Sequence, residues 1–391
     1  MKAKRMRNDD YIKSLQQTPL KNSGGCRIII AGGGTGGHIF PAIAIANALK
    51  AQQPGVDILF IGAKGKMEME KVPQAGYKII GLYIVGYNRS SLLKNIMLPF
   101  KLLKSFMQVR QILNDFKPHA VVGVGGYSSF PVLRSAQTRG IPTFIHEANS
   151  FAGKSNTMLG KRATSIFVAS YGMDKFFPAK KILMTGNPVR SIFSPKNYPD
   201  KISRKEALEF FGLKEEMKTV FVMGGSLGAK SINTVIEKNL DFFNKNNLQL
   251  IWQTGKGYAP VAAQAEEQRT NIWTNAFINN MEYAYAAADI VVSRAGAMSI
   301  AELCVVGKPV IFVPYPNAAE DHQTANANAL VTQHAAFMIN DRDVNLKLIP
   351  MIAELANDAA KANELKENIA RLGNTKADNL IAEEILKTLN D

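Results

Sequence analysis

Two glycine-rich loops, each placed between an apolar strand and a helix, constrain the fold of this 391-residue chain more than any other feature. The first, G-G-G-T-G-G at 32–37, follows the apolar run 26–31, and the second, G-G-S-L-G at 224–228, follows the apolar run 219–223. Further apolar strands alternate with helical segments after each loop, as in a parallel sheet covered by helices on both faces. Because a single core rarely grows to this length, the repeat predicts an α/β protein with two Rossmann-like, doubly wound parallel-sheet domains that face each other across a cleft.

Composition divides the chain into four segments. Residues 1–25 carry six Lys or Arg against two Asp and lack the apolar segment of a secretory signal, so they are predicted to be a basic extension outside the fold. The first domain is predicted to span 26–187 and the second 188–369. The last segment is predicted to span 370–391. The stretch from Asp358 to Leu389 has helical composition with one polar face, and composition alone leaves open which domain it packs on.

Charge and cysteine content restrict the partners and the compartment. Lys and Arg number 47 against 32 Asp and Glu, a net charge of +15. This excess leaves nucleic acid, an anionic membrane surface and anionic substrates open as partners, but no recognised RNA- or DNA-binding module occurs, so nucleic acid is not expected. The two cysteines, Cys26 and Cys304, are too few for a disulfide framework or a zinc cluster, which favours a reducing cytoplasm.

Either glycine loop taken alone suggests a different class of protein. The first loop contains the dinucleotide pattern G-x-G-x-x-G, but Asp57 stands at the start of the second strand, whereas an NAD-binding fold needs an acidic residue at the end of that strand. The second loop nearly matches a Walker A loop, but Ala229 occupies the place of the required glycine. An NAD-linked oxidoreductase and a nucleoside triphosphatase are therefore disfavoured. A non-catalytic anion-binding or nucleic-acid-binding protein stays open as a rival.

Seven motifs in a fixed order carry a resemblance to a known family. They are G-G-T-G-G-H-I-F-P (33–41), G-V-G-G-Y-S-S-F-P (123–131), I-H-E-A-N (145–149), T-G-N-P-V-R (185–190), M-G-G-S-L-G-A-K (223–230), S-R-A-G-A-M-S-I-A-E (293–302) and H-Q-T-A-N-A (322–327). As a set that covers roughly residues 26–391, they resemble the MurG family, the bacterial UDP-N-acetylglucosamine transferases of glycosyltransferase family 28. Ala148, Leu227 and His322 stand where members of the family often have Gln.

The resemblance implies a GT-B architecture and an inverting transfer of GlcNAc from UDP-GlcNAc to the C4 hydroxyl of lipid I, the undecaprenyl-pyrophosphoryl-MurNAc-pentapeptide. The product is lipid II for peptidoglycan synthesis. The first domain would bind this acceptor, the second most of UDP-GlcNAc, and segment 370–391 would return to the first domain. A lipid-linked acceptor implies a peripheral protein on the cytoplasmic side of the inner membrane, with cell-wall synthesis proteins as further partners. No tightly bound cofactor is expected, and a divalent cation arriving with the substrate stays open.

The inferred reaction needs a base for the acceptor hydroxyl and stabilisation of the departing diphosphate. His38 is the candidate base because an imidazole titrates near neutral pH and this residue stands at the glycine-rich entrance to a helix. The alternative is that His38 only positions the acceptor. Ser226 and Arg190 are expected at the diphosphate, the first at a helix start and the second as a permanently charged fork. Glu302 is expected to anchor both ribose hydroxyls.

The resemblance also outlines the rest of the donor and acceptor sites. The further residues expected to bind UDP-GlcNAc are Thr35, Gly36, Gly37, Asn149, Ile278, Arg294, Met298, Ser299, Ile300, Ala301, Gln323 and Asn326. Those expected to contact the acceptor, together with His38, are Gly33, Gly34, Gly125, Gly126 and Tyr127. Gln323 and Asn326 are three residues apart, so a helix would place them on one face.

Two further charged features complete the predictions. Asp341-Arg342-Asp343 forms a D-x-D sequence, which is predicted to cap a helix, and no metal site is expected. From Lys71 to Asn114 there are seven Lys or Arg and no Asp or Glu. One helical face of this stretch, with Phe100, Leu103 and Met107, would leave apolar surface ringed by positive charge, as in proteins that bind anionic lipid. The alternative is a buried helix with solvated lysines.

Overall fold

The computed structural model describes residues 25–84, 98–190, 193, 202–225, 227–318 and 321–390. The chain forms two compact units. The first unit comprises Met1–Pro188 and Lys376–Asp391, and the second comprises Val189–Thr375. Of the predicted basic extension 1–25, all but the last residue lies outside the described part of the chain.

The first unit is built on a parallel sheet of seven strands. They are β1 (Arg27–Ala31), β2 (Asp57–Ala63), β3 (Lys78–Leu82), β4 (Ala120–Gly123), β5 (Thr143–Glu147), β6 (Ser165–Val168) and β7 (Ile182–Met184), and their order in the sheet is β3-β2-β1-β4-β5-β6-β7. Helices α1 (Gly36–Gln52), α2 (Glu68–Gln74), α3 (Leu98–Phe116), α4 (Ser129–Gln137) and α5 (Lys154–Gly160) connect them. Ile28 and Ile30 belong to one core and Ile29 to another, because alternate side chains of a strand point to opposite faces.

The second unit repeats this plan with six parallel strands. They are β8 (Lys218–Met223), β9 (Leu248–Gln253), β10 (Ile272–Asn275), β11 (Ile290–Ser293), β12 (Val310–Phe312) and β13 (Phe337–Met338), in the order β10-β9-β8-β11-β12-β13. The helices are α6 (Arg204–Phe211), α7 (Lys230–Lys238), α8 (Leu240–Lys245), α9 (Ala259–Glu267), α10 (Met281–Ala287), α11 (Ala297–Val306), α12 (His322–Val331), α13 (Val344–Asn357) and α14 (Ala359–Arg371). The prediction of two doubly wound α/β units is confirmed.

The last helix, α15 (Ala377–Asn390), packs in the first unit. Its apolar side chains Ile381, Ala382 and Ile385 are buried in the core that contains Ile28, and Gln52 Nε2 donates to Asn379 O at 3.1 Å. The predicted segment 370–391 therefore begins too early. Residues 370–375 belong to the second unit, because α14 buries Ile369 in that unit's core, and the chain returns at Lys376.

Within the described ranges, no helix has both the length and the apolar character that crossing a lipid bilayer requires.

Candidate active site

Each sheet reverses its strand order at one point, between β1 and β4 in the first unit and between β8 and β11 in the second. Ligands of doubly wound folds bind outside the carboxyl ends of the strands at such a point. The first glycine loop leaves β1 there, and His38 lies in the first turn of the helix that follows. Glu302 lies on the helix that follows β11. The topology therefore places both predicted residues next to the expected binding positions of their own units.

In the first unit, the loops after β1 and β4 pack directly against each other. Gly33 and Gly126 have φ angles of 145° and 87°, which only glycine adopts readily. A Cβ atom on Gly126 would lie 2.3 Å from the carbonyl oxygen of Gly33, and a Cβ atom on Gly32 would lie 2.7 Å from the carbonyl oxygen of Gly125. Glycine is needed on both sides because the two backbones touch.

This contact orients His38. Its Nδ1 lies 3.0 Å from the carbonyl oxygen of Gly33. A carbonyl oxygen can only accept, so Nδ1 carries the hydrogen and the neutral ring has its lone pair on Nε2. A Cβ atom on Gly125 would lie 2.8 Å from Nε2, so this glycine leaves the second ring nitrogen its space. Burial lowers the pKa of His38 below its ordinary value, and the charges of Glu147 and Glu68 and the bond to Gly33 offset part of this effect.

Several amide groups of the first glycine loop are already used within the protein. They donate as follows: Gly32 to Ile61 O (3.1 Å), Gly33 to Gly125 O (3.3 Å) and Gly34 to Oε2 of Glu68 (2.8 Å). Gly33 and Gly34 were predicted to contact the acceptor, but their N–H groups already donate to acceptors within the protein. Thr35, Gly36 and Gly37 open α1, and the exposed Thr35 makes no side-chain cap, so an anion would meet the helix N-terminus rather than the turn.

Glu147 organises the loop that carries Asn149. Its buried carboxylate accepts hydrogen bonds from the backbone amides of Asn149 and Gly153, both at 3.2 Å, and from Nδ2 of Asn156 at 2.8 Å. Asn149 is half-buried, whereas Tyr127, on the loop after β4, exposes 56% of its surface. Asn149 and Tyr127 therefore lie on loops at the carboxyl ends of β5 and β4.

A buried polar pair beside this loop, His146 and Asn187, was not among the predicted site residues. His146 on β5 is 1% exposed, and neither of its ring nitrogens makes a well-aligned hydrogen bond among the described residues, although Asn187 and Gly186 lie close enough to interact with the ring. Burial lowers the pKa of His146 to about 4, interactions with Asn187 and Gly186 offset part of this effect, and the charge of nearby His38 adds to it. The signal was present in the sequence, because His146 and Glu147 are polar residues inside a strand whose other positions are buried.

In the second unit, Arg190 and Glu302 bind each other. Arg190 Nε lies 2.9 Å from Oε1 of Glu302, and Nη2 of the same guanidinium lies 3.1 Å from Oε2. Tyr285 donates its hydroxyl to Oε2 at 3.4 Å, and the guanidinium stacks over Phe193. Burial by itself would lower the pKa of Arg190, but the Glu302 carboxylate outweighs it and raises that pKa above its ordinary value. Two residues predicted to contact different parts of the donor are thus one charged pair.

Arg294 is fixed by a second buried ion pair. Its Nη1 lies 2.6 Å from Oδ1 of Asp341 and also donates to the carbonyl oxygens of Val313 and Pro314. Ser231 bridges the same two charges. The helix-capping prediction for the D-x-D sequence is wrong, because Asp343, at the N-cap position of α13, makes no side-chain cap and Asp341 is the partner of Arg294. The described residues contain no group of three or more His, Cys, Asp or Glu that could hold a metal ion.

The remaining predicted donor residues lie on three elements of the second unit. Met298, Ser299, Ile300 and Ala301 occupy the first turns of α11, and Gln323 and Asn326 share α12. Ile278 is buried, and its amide donates to Oε1 of Gln253 at 3.0 Å, so this N–H is not free for a base. Gln323 accepts from the amide of Tyr315 at 2.9 Å. Ser226 lies outside the described residues.

Two domains of a known protein family together match most of the chain. The glycosyltransferase family 28 N-terminal domain matches residues 28–168, and the glycosyltransferase family 28 C-terminal domain matches residues 219–385.

Two similar proteins share the same printed name, UDP-N-acetylglucosamine--N-acetylmuramyl-(pentapeptide) pyrophosphoryl-undecaprenol N-acetylglucosamine transferase. The protein of Parabacteroides distasonis is 49% identical over 93% of this chain and 98% of its own length. The protein of Phocaeicola vulgatus is 50% identical over 92% of this chain and 96% of its own length.

Solved structures agree with these matches. Acinetobacter baumannii MurG superposes with a TM-score of 0.70 at 28% identity, covering 93% of this chain and 99% of that one. A UDP-N-acetylglucosamine 2-epimerase superposes with a TM-score of 0.68 at 14% identity, covering 94% and 96%, and this likeness concerns the fold alone.

Proposed function

Because the chain belongs to glycosyltransferase family 28, we propose that it transfers GlcNAc from UDP-GlcNAc to the C4 hydroxyl of lipid I, with inversion, and so makes lipid II for peptidoglycan synthesis. The proposal rests on relatives of nearly the same length that carry this activity in their names. It agrees with two doubly wound units whose predicted site residues lie at the carboxyl ends of the strands.

The proposed chemistry depends above all on the geometry of His38. The bond from Nδ1 to Gly33 O leaves the lone pair on Nε2, which is the nitrogen that can take a proton from an alcohol. Its lowered pKa keeps the ring neutral at cytoplasmic pH, so the base is in its reactive form. We propose that Nε2 removes the proton of the acceptor hydroxyl as that oxygen attacks the anomeric carbon.

In this proposal, the second unit binds the donor and stabilises the departing diphosphate. We propose that Glu302 accepts a hydrogen bond from the ribose through the one lone-pair site, on Oε1, that Arg190 and Tyr285 leave free. Arg190 and the N-terminus of α11 would offset the charge of the departing diphosphate. These groups supply fixed positive potential, and a divalent cation that arrives with the nucleotide would add to it.

We further propose that the protein binds the cytoplasmic face of the inner membrane as a peripheral protein. On α3, the side chains of Phe100, Leu103 and Met107 are each about 60% exposed. Nearby, Tyr83 is in contact with two lysines, since Lys64 Nζ donates to its hydroxyl and Lys104 lies over its ring. An apolar ridge with adjacent lysines is the surface that anionic lipid attracts, and a lipid-linked acceptor would require it.

Transfer of radiolabel from UDP-[¹⁴C]GlcNAc to a lipid I analogue tests the proposed function. We expect a labelled lipid product whose formation depends on the acceptor, and little product when UDP-GalNAc replaces the donor. Two parallel assays cover the rival classes: reduced-nicotinamide absorbance with candidate alcohols, and salt-sensitive retention of DNA. A signal in either of these without sugar transfer would overturn the assignment.

A further inference from the structure

Glu68 is a buried carboxylate for which the proposed chemistry has no direct use. It lies at the start of α2 and is 1% exposed. Its two oxygens accept from two different segments: Oε1 from the amide of Ala63 and Oε2 from the amide of Gly34, each at 2.8 Å. The carboxylate therefore joins the end of β2 to the glycine loop that follows β1.

The surrounding glycines make room for this carboxylate. A Cβ atom on Gly33 would lie 2.3 Å from Cδ of Glu68, and a Cβ atom on Gly62 would lie 2.4 Å from its Cγ. Gly33 in the loop after β1 and Gly62 on β2 thus form a space that one acidic side chain fills. A buried carboxylate is costly unless hydrogen bonds satisfy it, and these two short bonds do so.

The position of Glu68 bears on His38 through one intermediate peptide unit. Glu68 holds the amide of Gly34, and the other end of that same peptide bond is the carbonyl of Gly33, which receives Nδ1 of His38. Because a peptide unit is planar, fixing its N–H also fixes the direction of its C=O. The orientation and tautomer of the imidazole therefore depend on a carboxylate that lies one peptide away.

A direct role in binding an acceptor phosphate does not fit this geometry. The Gly34 amide that an anion would use is already occupied, and the occupant is itself negatively charged. An anion at this turn would meet repulsion from a buried charge. The carboxylate is suited to shaping the turn and unsuited to binding the substrate there.

We propose that Glu68 is a positioning residue for His38: it holds the Gly33–Gly34 peptide so that the Gly33 carbonyl keeps the hydrogen on Nδ1 and leaves Nε2 to receive the proton of the acceptor hydroxyl. This inference rests on the proposed function of His38. Nothing in the motifs of the chain singles out Glu68, because its partners come from positions 5 and 34 residues away.

The test compares Glu68→Gln with Glu70→Gln in the full chain. Gln has one acceptor oxygen, so it can satisfy only one of the two amides, and its NH2 group opposes the other. Glu70 lies on the same helix with its side chain 67% exposed, which makes it a matched control. We expect Glu68→Gln to lower kcat about 10- to 100-fold while KM for UDP-GlcNAc stays within about twofold, as for a misplaced catalytic group. Glu70→Gln should behave like the wild type.

A pH profile separates positioning from general loss of structure. The Glu68 charge raises the pKa of His38, so its removal should move the acid limb of kcat/KM to lower pH. Bound UDP should still protect the variant against thermal unfolding if its second unit is intact. A Glu68→Gln protein that binds UDP and keeps both the rate and the acid limb of the wild type would overturn the proposal.

Nitrogen NMR of the wild type, with ¹⁵N-labelled histidine, gives a readout that needs neither the variant nor turnover. A neutral His38 with hydrogen on Nδ1 supports the inference, and hydrogen on Nε2 overturns it. If the wild type transfers no GlcNAc but shows the Nδ1–H tautomer, the proposed function fails and the positioning of the imidazole stands.

Discussion

Arg190 and Glu302, 112 residues apart in the chain, form a two-bond ion pair in the second unit, with N–O distances of 2.9 and 3.1 Å. The side chains are only 18% and 9% exposed, so little water screens the pair. Each residue was predicted from sequence to contact a different group of the donor. The pairing means that the groups proposed for the ribose and the diphosphate are held in a fixed relation before the nucleotide binds.

Breaking this pair is expected to weaken both the second unit and donor binding. Glu302→Gln leaves the Arg190 charge uncompensated, and so should lower the free energy of unfolding by about 3 kcal/mol. KM for UDP-GlcNAc should rise at least about tenfold, because a hydrogen bond to a charged group is lost. Unfolding is measured by fluorescence of Trp252 and Trp273, the two tryptophans of the chain, which both lie in the second unit.

The double variant Arg190→Met/Glu302→Gln should lose less stability than the sum of the single variants, because neither charge is then left alone. Asp241→Asn removes one partner of the exposed Arg269 pair and serves as the control, with an unchanged unfolding midpoint. Additive losses in the double variant would contradict the interpretation of a coupled pair.

His38 is expected to set the acid limb of the rate profile. Because burial lowers its pKa, the neutral base should persist below pH 6.5, and kcat/KM should fall only as the pH drops through this lowered pKa. His38→Ala should reduce kcat about 10²- to 10⁴-fold with little change in KM for UDP-GlcNAc. The exposed His334 of the second unit provides the control His334→Asn. An acid limb at or above pH 6.5 in the wild type would be inconsistent with this role.

His146 is expected to make the first unit sensitive to acid. Its pKa is about 4 in the folded protein against 6.5 as the ordinary value, so between these limits the unfolded chain binds a proton that the folded chain does not. The free energy of unfolding of the first unit is therefore independent of the protonation of His146 above pH 6.5, and it decreases as the pH falls from 6.5 towards 4. From pH 7.5 to 5.0 the loss should be about 2 kcal/mol.

Hydrogen exchange of a peptide that covers β5, corrected for the intrinsic rate at each pH, measures this loss in the first unit. His146→Gln should remove that pH dependence, whatever its effect at pH 7.5. Equal pH dependence in the variant and the wild type would rule out His146 as its source.

The apolar ridge on α3 is expected to carry membrane binding. Replacing Phe100, Leu103 and Met107 together by Ser should weaken sedimentation with vesicles that contain anionic lipid by at least about tenfold. Transfer to a water-soluble acceptor analogue should be retained. Leu346→Ser, at a leucine in the second unit that is 78% exposed, is the control for loss of any surface leucine. Unchanged sedimentation of the triple variant would remove the ridge from the proposal.

The local sequence pattern was sufficient to predict the strands and turns of the fold. Ile28, Ile29 and Ile30 predict a strand buried on both faces, and all three are fully buried. The glycine loop at 32–37 predicts a tight strand-to-helix turn, which Gly33 and Gly34 form with positive φ angles. Such features depend on neighbours in the chain, and the sequence displays those neighbours directly.

Partners of charged residues were much harder to predict. The D-x-D sequence contains good capping residues, yet Asp341 binds Arg294, 47 positions away. The first glycine loop has the composition of an anion site, yet Glu68 and carbonyl oxygens occupy its amides. Local composition indicates what a group can bind. It does not indicate which of several distant groups lies within bonding distance in the folded chain.

By itself, then, the sequence determined the α/β class, the two-unit plan, the glycine turns and the residue types available for sugar transfer. Only the tertiary structure decided that Arg190 faces Glu302, that Glu68 holds the turn beside His38 and that His146 is buried beside Asn187. The physical reason is that strand and turn preferences act over a few residues, whereas hydrogen bonds and desolvation depend on which distant segments the packed sheets bring within about 3 Å.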